Sequence, residues 1–132
     1  MLHPSQFQVN EAWIAFRLNR APIQTEAAGS FNCFALMDAA SCFILGTELV
    51  PFDKAEPSSL DWRGLMKKGQ SHKQQLPKTL YVAREAVAEL LYREAALLKI
   101  EIVRVAESEL RIFLGEARDG FEEHVSGGSR GA

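Results

Sequence analysis

Apolar positions along this chain follow two different periods. From Asn32 to Met37 they fill both alternating sides, with Phe34 and Leu36 on one and Cys33, Ala35 and Met37 on the other. Phe43 to Val50 repeats this, with Phe43, Leu45 and Leu49 opposite Ile44 and Val50. Strands apolar on both faces belong in the centre of a sheet that is covered on both sides. Asp38-Ala39-Ala40-Ser41 between them is short and carries turn-forming side chains, which predicts a hairpin. Gly46 inside the second strand predicts a bulge or a close approach by another backbone. Upstream, Ala12–Leu18 alternates Ile14, Phe16 and Leu18 against Ala15 and Arg17 and favours a strand; a short helix with Trp13 and Phe16 on one face is the alternative. Leu2–Gln8 reads as irregular, and Asn19–Ser30, with Pro22 and Gly29, as a loop.

Downstream the period changes. Pro51 stops the second strand of the hairpin. Ser58 or Ser59 can cap a helix that carries Leu60, Leu65 and Met66 and ends at Gly69. Lys67–Lys78 is a polar, basic stretch. Thr79–Ala83 predicts a short strand. Glu85–Leu98 is the clearest helix, with Val87, Leu90, Leu91, Ala95 and Leu98 on one stripe. Ile100–Val105 predicts another strand. Ser108 then caps a helix to about Val125, with a stripe of Leu110, Phe113, Leu114, Ala117 and Phe121; Gly115 and Gly120 weaken it, with a kink or fraying expected near Gly120. The order β-β-β-α-β-α-β-α implies an antiparallel first half and a parallel strand–helix–strand second half. The expected architecture is α/β, with helices on a mixed sheet of five strands.

At 132 residues the chain can bury a core of its own. Residues 1–125 read as a single domain and 126–132 as a flexible tail. A net charge of −2 gives no global pull towards nucleic acid or an anionic membrane. No apolar run is long enough to span a bilayer, and Met1-Leu2-His3-Pro4 does not start a signal peptide. Cys33 and Cys42 lie in apolar strands and read as buried free thiols in a reducing cytoplasm, with a cross-hairpin disulfide as the alternative. No spacing of Cys and His predicts a zinc site. His3, His72 and His124 form no triad with Ser41 or the cysteines.

Met37-Asp38-Ala39-Ala40-Ser41, followed by Phe43-Ile44-Leu45-Gly46, resembles the hairpin of integrase and transposase cores: an acidic strand end, a serine turn, and a return strand ending in Gly. With the element order, it points to the ribonuclease H-like fold. The hairpin, paired with the half from Leu76-Pro77 to Glu116-Ala117, also resembles a group of small bacterial proteins, a likeness that implies a fold and no activity. In the integrases and transposases, carboxylates at strand and helix ends hold two divalent ions that flank the scissile phosphate. The resemblance therefore implies one acid on the first strand, one closing the strand Thr79–Val82, and one on a late helix. The candidates are Asp38, Glu85 and Glu116, with Glu109 as the other late-helix acid. Ala83-Arg84 stands where the second acid is expected.

Asp38 has a simpler reading, as a carboxylate that accepts hydrogen bonds from its own turn and from Ser41. Glu48 reads as exposed at a rim or paired with an arginine. Arg84, Lys67, Lys68 and Lys73 are candidate anion contacts, but the basic segment Arg63–Lys78 has no phosphate cradle and, Trp62 apart, no interleaved aromatics, so nothing favours nucleic acid. The acidic last helix could face the basic segment of a second copy and support a homo-oligomer, and Trp13 and Trp62 could anchor such an interface. The expected function is that of a cytoplasmic, non-catalytic binding or assembly module without a cofactor. One alternative is a nuclease or transposase-like remnant that uses Mg²⁺ or Mn²⁺ at Asp38. The other is a small-molecule domain with its pocket at the C-terminal strand ends, near Ala83-Arg84 and Val105-Ala106.

Overall fold

The computed structural model describes residues 1–27 and 29–130. Its strands are β1 (Ala12–Arg17), β2 (Ile23–Thr25), β3 (Gly29–Asp38), β4 (Ile44–Pro51), β5 (Thr79–Ala83) and β6 (Glu101–Val105). The helices are α1 (Ser59–Lys73), α2 (Glu89–Leu97) and α3 (Arg111–Arg130), with short 3-10 turns at Pro4–Gln6 and Glu107–Leu110. The six strands form one mixed sheet, β4-β3-β1-β5-β6, with β2 on the same edge of β3 as β1. β1 pairs antiparallel with β3 and parallel with β5, and β5 pairs parallel with β6.

β1 lies at the centre, and its residues Ala12–Phe16 are buried on both faces. On one face Trp13, Leu36 and Leu80 meet Trp62 and Leu65 of α1 and Leu91 of α2. On the other, Ile14, Ala35 and Met37 meet Phe113 and Leu114 of α3. Each fully buried large side chain contributes roughly 1.5–3 kcal/mol, so this double cover accounts for the apolar character of both faces of β1 and β3.

α1 begins at a capping box. Ser58 Oγ accepts the Asp61 N–H at 3.1 Å, and the Asp61 carboxylate accepts the Ser58 N–H at 3.0 Å. Such a cap stabilises a helix by about 1 kcal/mol. α1 is joined to α2 by Arg63, which donates to the buried Glu94 carboxylate at 2.9 and 3.2 Å. Arg63 holds the Glu94 carboxyl below its usual range despite the opposing effect of burial.

Several expectations shift. Ala12–Arg17 is a strand, not a helix. The expected loop Asn19–Ser30 holds β2, which makes the sheet one strand larger. β4 is not central: it pairs only with β3, and Leu49 on it and Phe43 before it are exposed. The register shifts beside Gly46, where the side chains of Lys68 and Leu65 approach. Gly69 does not end α1, which runs to Lys73; a Cβ there would lie 2.6 Å from a Trp13 ring carbon. Gly69 is therefore the gap that admits the indole. α2 is shorter than expected and leaves Glu85 in the preceding turn. α3 passes Gly120 and continues to Arg130, so Ser126–Arg130 of the expected tail are helical; residues 131–132 lie outside the described residues. No helix among the described residues is long and apolar enough to cross a membrane.

Two glycine substitutions should separate close approach from helix propensity. Gly69→Ala forces a methyl into the Trp13 ring and should cost about 1–3 kcal/mol, the range for overpacking. Gly115→Ala meets nothing within 4 Å and should gain about 0.5–1 kcal/mol. Urea denaturation midpoints measure both. The Arg63–Glu94 pair predicts a pH dependence. The Glu94 carboxyl titrates lower folded than unfolded, so its contribution is present above the unfolded value, about 4.3, and is lost as pH falls through the folded value. Stability curves of Glu94→Gln and the parent should converge as the solution is acidified below pH ~4.

Candidate functional site

β1 and β5 run parallel and side by side, so their C-terminal ends open together, where the chain leaves in different directions. Such a divergence leaves a crevice in an open α/β sheet. Here it is a cavity of about 320 Å³. Its inner wall is apolar, formed by Ala15, Phe34, Trp62, Val82 and Leu91. Polar groups stand around its mouth: Arg17, Asn32, Glu85, Glu107 and Arg118.

Local hydrogen bonds build this mouth. The turn after β5 is gathered by Arg104 of β6, whose Nη2 donates to the carbonyls of Ala83 at 3.3 Å, Arg84 at 3.2 Å, and Ala86. The Arg104 guanidinium also lies 6.0 Å from the Tyr92 ring centre. The Glu85 carboxylate accepts the Glu107 N–H at 3.0 Å and so ties this turn to the segment entering α3. From α3, Arg118 donates to the Arg17 carbonyl at 3.0 Å and to the Glu107 carboxylate at 3.1 Å. Arg17 Nε donates to the Asn19 carbonyl at 2.9 Å. Its Nη2 also reaches the Arg20 carbonyl at 3.5 Å, so among the described residues the Arg17 charge is met by backbone carbonyls and by no carboxylate, just as Glu85 is met by a backbone N–H and by no cation. Behind the apolar wall, Glu56 accepts the Leu90 N–H at 3.1 Å, closing the start of α2, which has no side-chain cap of its own.

The three candidate acids do not come together. Asp38 sits at the other end of β1, paired with Trp13. Fully buried, it accepts the Asn10 N–H at 2.7 Å, the Ser41 N–H at 3.0 Å and the Ser41 hydroxyl at 2.6 Å. Glu85 lines the cavity just described. Glu116 lines a second cavity of about 430 Å³ beneath α3, beside Cys42 and His124. Glu109 approaches the Met1 ammonium at 3.2 Å. Among the described residues no group of three or more His, Cys, Asp and Glu is arranged to hold a metal ion. The donor set therefore does not fit a two-metal centre. β1 and β5, where two of the acids are expected, read AWIAFR and TLYVA and contain none.

The other candidates also disperse. Arg84 is exposed, and its backbone N–H pairs with Val105. Lys67 is exposed on α1. Lys68 donates to the Thr47 carbonyl at 3.3 Å, and its ammonium is 4.0 Å from Glu48. Lys73 lies over the Phe43 ring at 5.7 Å. None of the four lines the first cavity. The acidic face of α3 is partly neutralised within the chain, since Arg20 reaches Asp119 at 2.8 Å and Glu122 at 3.1 Å. Trp13 and Trp62 are both buried in the core rather than available as surface anchors. Both cysteines are free, and burial pushes both thiols up, that of Cys42 further aided by Glu116 and Asp38. They are poor thiolates at neutral pH.

No protein-family model matches this chain, and no curated protein matches it. Solved structures do. The catalytic core domain of BIV integrase is similar with a TM-score of 0.59 and 9% identity, over 93% of this chain and 74% of that one. A chain of the simian T-cell lymphotropic virus intasome in complex with PP2A regulatory subunit B56 gamma is similar with a TM-score of 0.53 and 11% identity, over 89% of this chain. The present chain spans 37% of that second one. With the mixed sheet above, these likenesses define a ribonuclease H-like α/β fold of the integrase-core kind.

Arg17 and Arg118 were not among the residues singled out from sequence. Arg17 had a signal, as the one charge that interrupts an otherwise apolar central strand. Arg118 had none, because its role depends on where α3 crosses β1. The contacts of Asp38 give a testable expectation. Asp38→Ala leaves the buried Asn10 N–H and the Ser41 turn without an acceptor, at about 1–3 kcal/mol for each such donor. The variant should lose about 3 kcal/mol in urea denaturation, whether or not metal is present, and Asp38→Asn, which retains one acceptor oxygen, should lose less.

Proposed function

We propose that this chain is a non-catalytic ribonuclease H-like module that binds a small ligand in the cavity at the C-terminal ends of β1 and β5. The observation that carries this reading is the content of those strand ends. Ala15, Arg17 and Ala83 occupy the region where an integrase-like centre would need carboxylates, and an apolar-walled cavity opens there. Pockets of roughly 300–1,000 Å³ with apolar walls and a few convergent polar groups are the usual form of small-molecule sites. The module works in the cytoplasm on this reading, which suits two unpaired thiols.

The ligand suited to the site has a flat apolar body for the wall of Phe34, Trp62 and Leu91 and an anionic group for Arg17. A two-metal nuclease would need its carboxylates around one point, and the separate positions of Asp38, Glu85 and Glu116 support the non-catalytic reading. The reading goes no further than this site, because the likeness to integrase cores extends to the fold alone.

Two measurements test it. Mg²⁺ and Mn²⁺ titrated to millimolar concentration should leave the thermal midpoint of the parent and of Asp38→Asn unchanged, since a ligand stabilises only in proportion to its occupancy of the folded form. A metal-dependent rise lost in Asp38→Asn would restore the nuclease reading. The second probe is anilinonaphthalene sulfonate, an aromatic anion of suitable shape. It should bind with one-to-one stoichiometry and quench Trp62 emission. Arg17→Ala should weaken it by roughly tenfold, the scale of a charge-assisted hydrogen bond. Binding unaffected by Arg17→Ala and by filling the cavity with Ala83→Trp would sink the proposal.

A further inference from the structure

The sheet has two outer edges, and they are built differently. β4 is blunted three times over. The register shift interrupts its ladder, Pro51 ends it, and Lys68 lies across it with its ammonium on the Thr47 carbonyl. These are devices that keep an edge strand from pairing with another chain. β6 reads EIVRV, with no proline, lysine or bulge. Its one inward charge, Arg104, is held over the turn after β5 by the carbonyls of Ala83, Arg84 and Ala86, away from the edge. Among the described residues no strand pairs with the outer side of β6.

The register fixes which groups face outward. Glu101 donates its N–H to Lys78, and Val105 accepts from Arg84, both on the β5 side. Backbone polar groups alternate sides along a strand, so Val103 also faces β5, and the N–H and C=O of Ile102 and Arg104 face out. We propose that this edge pairs antiparallel with β6 of a second copy of the chain, about a two-fold axis through Val103. This goes beyond the cavity reading and does not depend on it.

The geometry favours a second copy as the occupant. A two-fold axis normal to the sheet preserves its faces, so only side chains from the same face can stand opposite each other. Centring on Val103 satisfies this and sets Ile102 against Arg104 of the other copy twice, which uses all the outward groups in four hydrogen bonds. Centring on Ile102 or Arg104 leaves part of the edge unpaired. Continued past the strand ends, the same register brings Lys99 of each copy towards the half-exposed Glu107 of the other, as a second cation beside its Arg118. The two α2 helices fall on the same side of the seam, with the half-exposed Tyr92 of each beside it. Two five-residue strands make a small seam, well short of the roughly 800 Å² per partner of a standard interface, so the dimer forms at high protein concentration.

The test is sedimentation or light scattering of the full chain from micromolar to submillimolar concentration, with Val103 variants. The mass should rise from 14.7 kDa towards twice that value. Val103→Lys sets like charges face to face and should raise the dissociation constant at least tenfold, with an unchanged circular dichroism spectrum. Val103→Cys tests the axis directly. Residues opposite in a non-hydrogen-bonded pair have Cα atoms about 4.5 Å apart, inside the roughly 4.4–6.8 Å window of a disulfide. Mild oxidation should therefore crosslink Val103→Cys, and neither the parent nor Thr47→Cys on the other edge. A chain that stays monomeric at every concentration overturns the proposal, even if the edge accepts an unrelated extended peptide. So does a dimer that is indifferent to Val103→Lys and is not trapped by Val103→Cys.

Discussion

The buried indole of Trp13 is the constraint around which this fold is arranged. It is fully buried on the central strand, and a buried N–H without an acceptor is costly. Asn10 supplies the acceptor at 2.7 Å. To do so it takes a left-handed backbone, φ 64°, a conformation that asparagine tolerates better than most residues. Its own N–H then needs a partner and finds Asp38, while its side-chain amide reaches the Gln75 carbonyl at 3.3 Å, just past α1. One ring thus fixes the entry to β1, the β3–β4 turn, and the approach of α1, which must present Gly69. Asp38, the charge in the turn of the apolar hairpin, belongs to this network.

Asp38 is used at the start of β1, and the opposite end of the strand holds the cavity. There the charges largely answer one another. Glu85 holds the entry to α3, Glu107 balances Arg118, and Arg118 in turn holds the Arg17 carbonyl. A clustered set of carboxylates is stable only with a cation to offset its repulsion. Around this cavity the charges are offset within the chain instead, by the Arg118–Glu107 pair and by backbone groups.

What was legible in the sequence followed from burial and period. The strand positions of β5 and β6, a serine cap at Ser58 or Ser59, and the order of elements apart from β2 all came from local patterns with a single physical cause. The integrase-like likeness of the Asp38 turn was correct about the fold, yet the acid itself does a structural task, because a hairpin turn and a metal ligand both favour an aspartate followed by a serine. β4 was misread as central because apolar residues on both faces suggest burial, whereas Leu49 and Phe43 lie beyond the cover of the helices. Gly69 looked like a helix stop because the reason for it, a tryptophan more than fifty positions away in the chain, is tertiary. The cavity was expected at the ends of β5 and β6, near Ala83-Arg84 and Val105-Ala106, but it opens between β1 and β5, only Ala83 of those four lines it, and its mouth depends on Arg118, which crosses from α3.

The same distinction applies to how this chain would meet another copy of itself. Sequence suggested charge, an acidic helix against a basic segment, but Arg20 already engages the acidic face and Lys68 is spent on β4. Exposed apolar side chains give no better guide. Phe43 and Leu49 flank an edge whose backbone is obstructed, and scattered surface apolar groups are normal in soluble proteins. What differs between the two edges is the state of the backbone hydrogen-bonding groups. Side-chain contacts can be made in many orientations, whereas a row of outward N–H and C=O groups admits a partner only in register. In a small α/β sheet it is therefore the unblunted edge, rather than the greasier one, that determines how the molecule can associate.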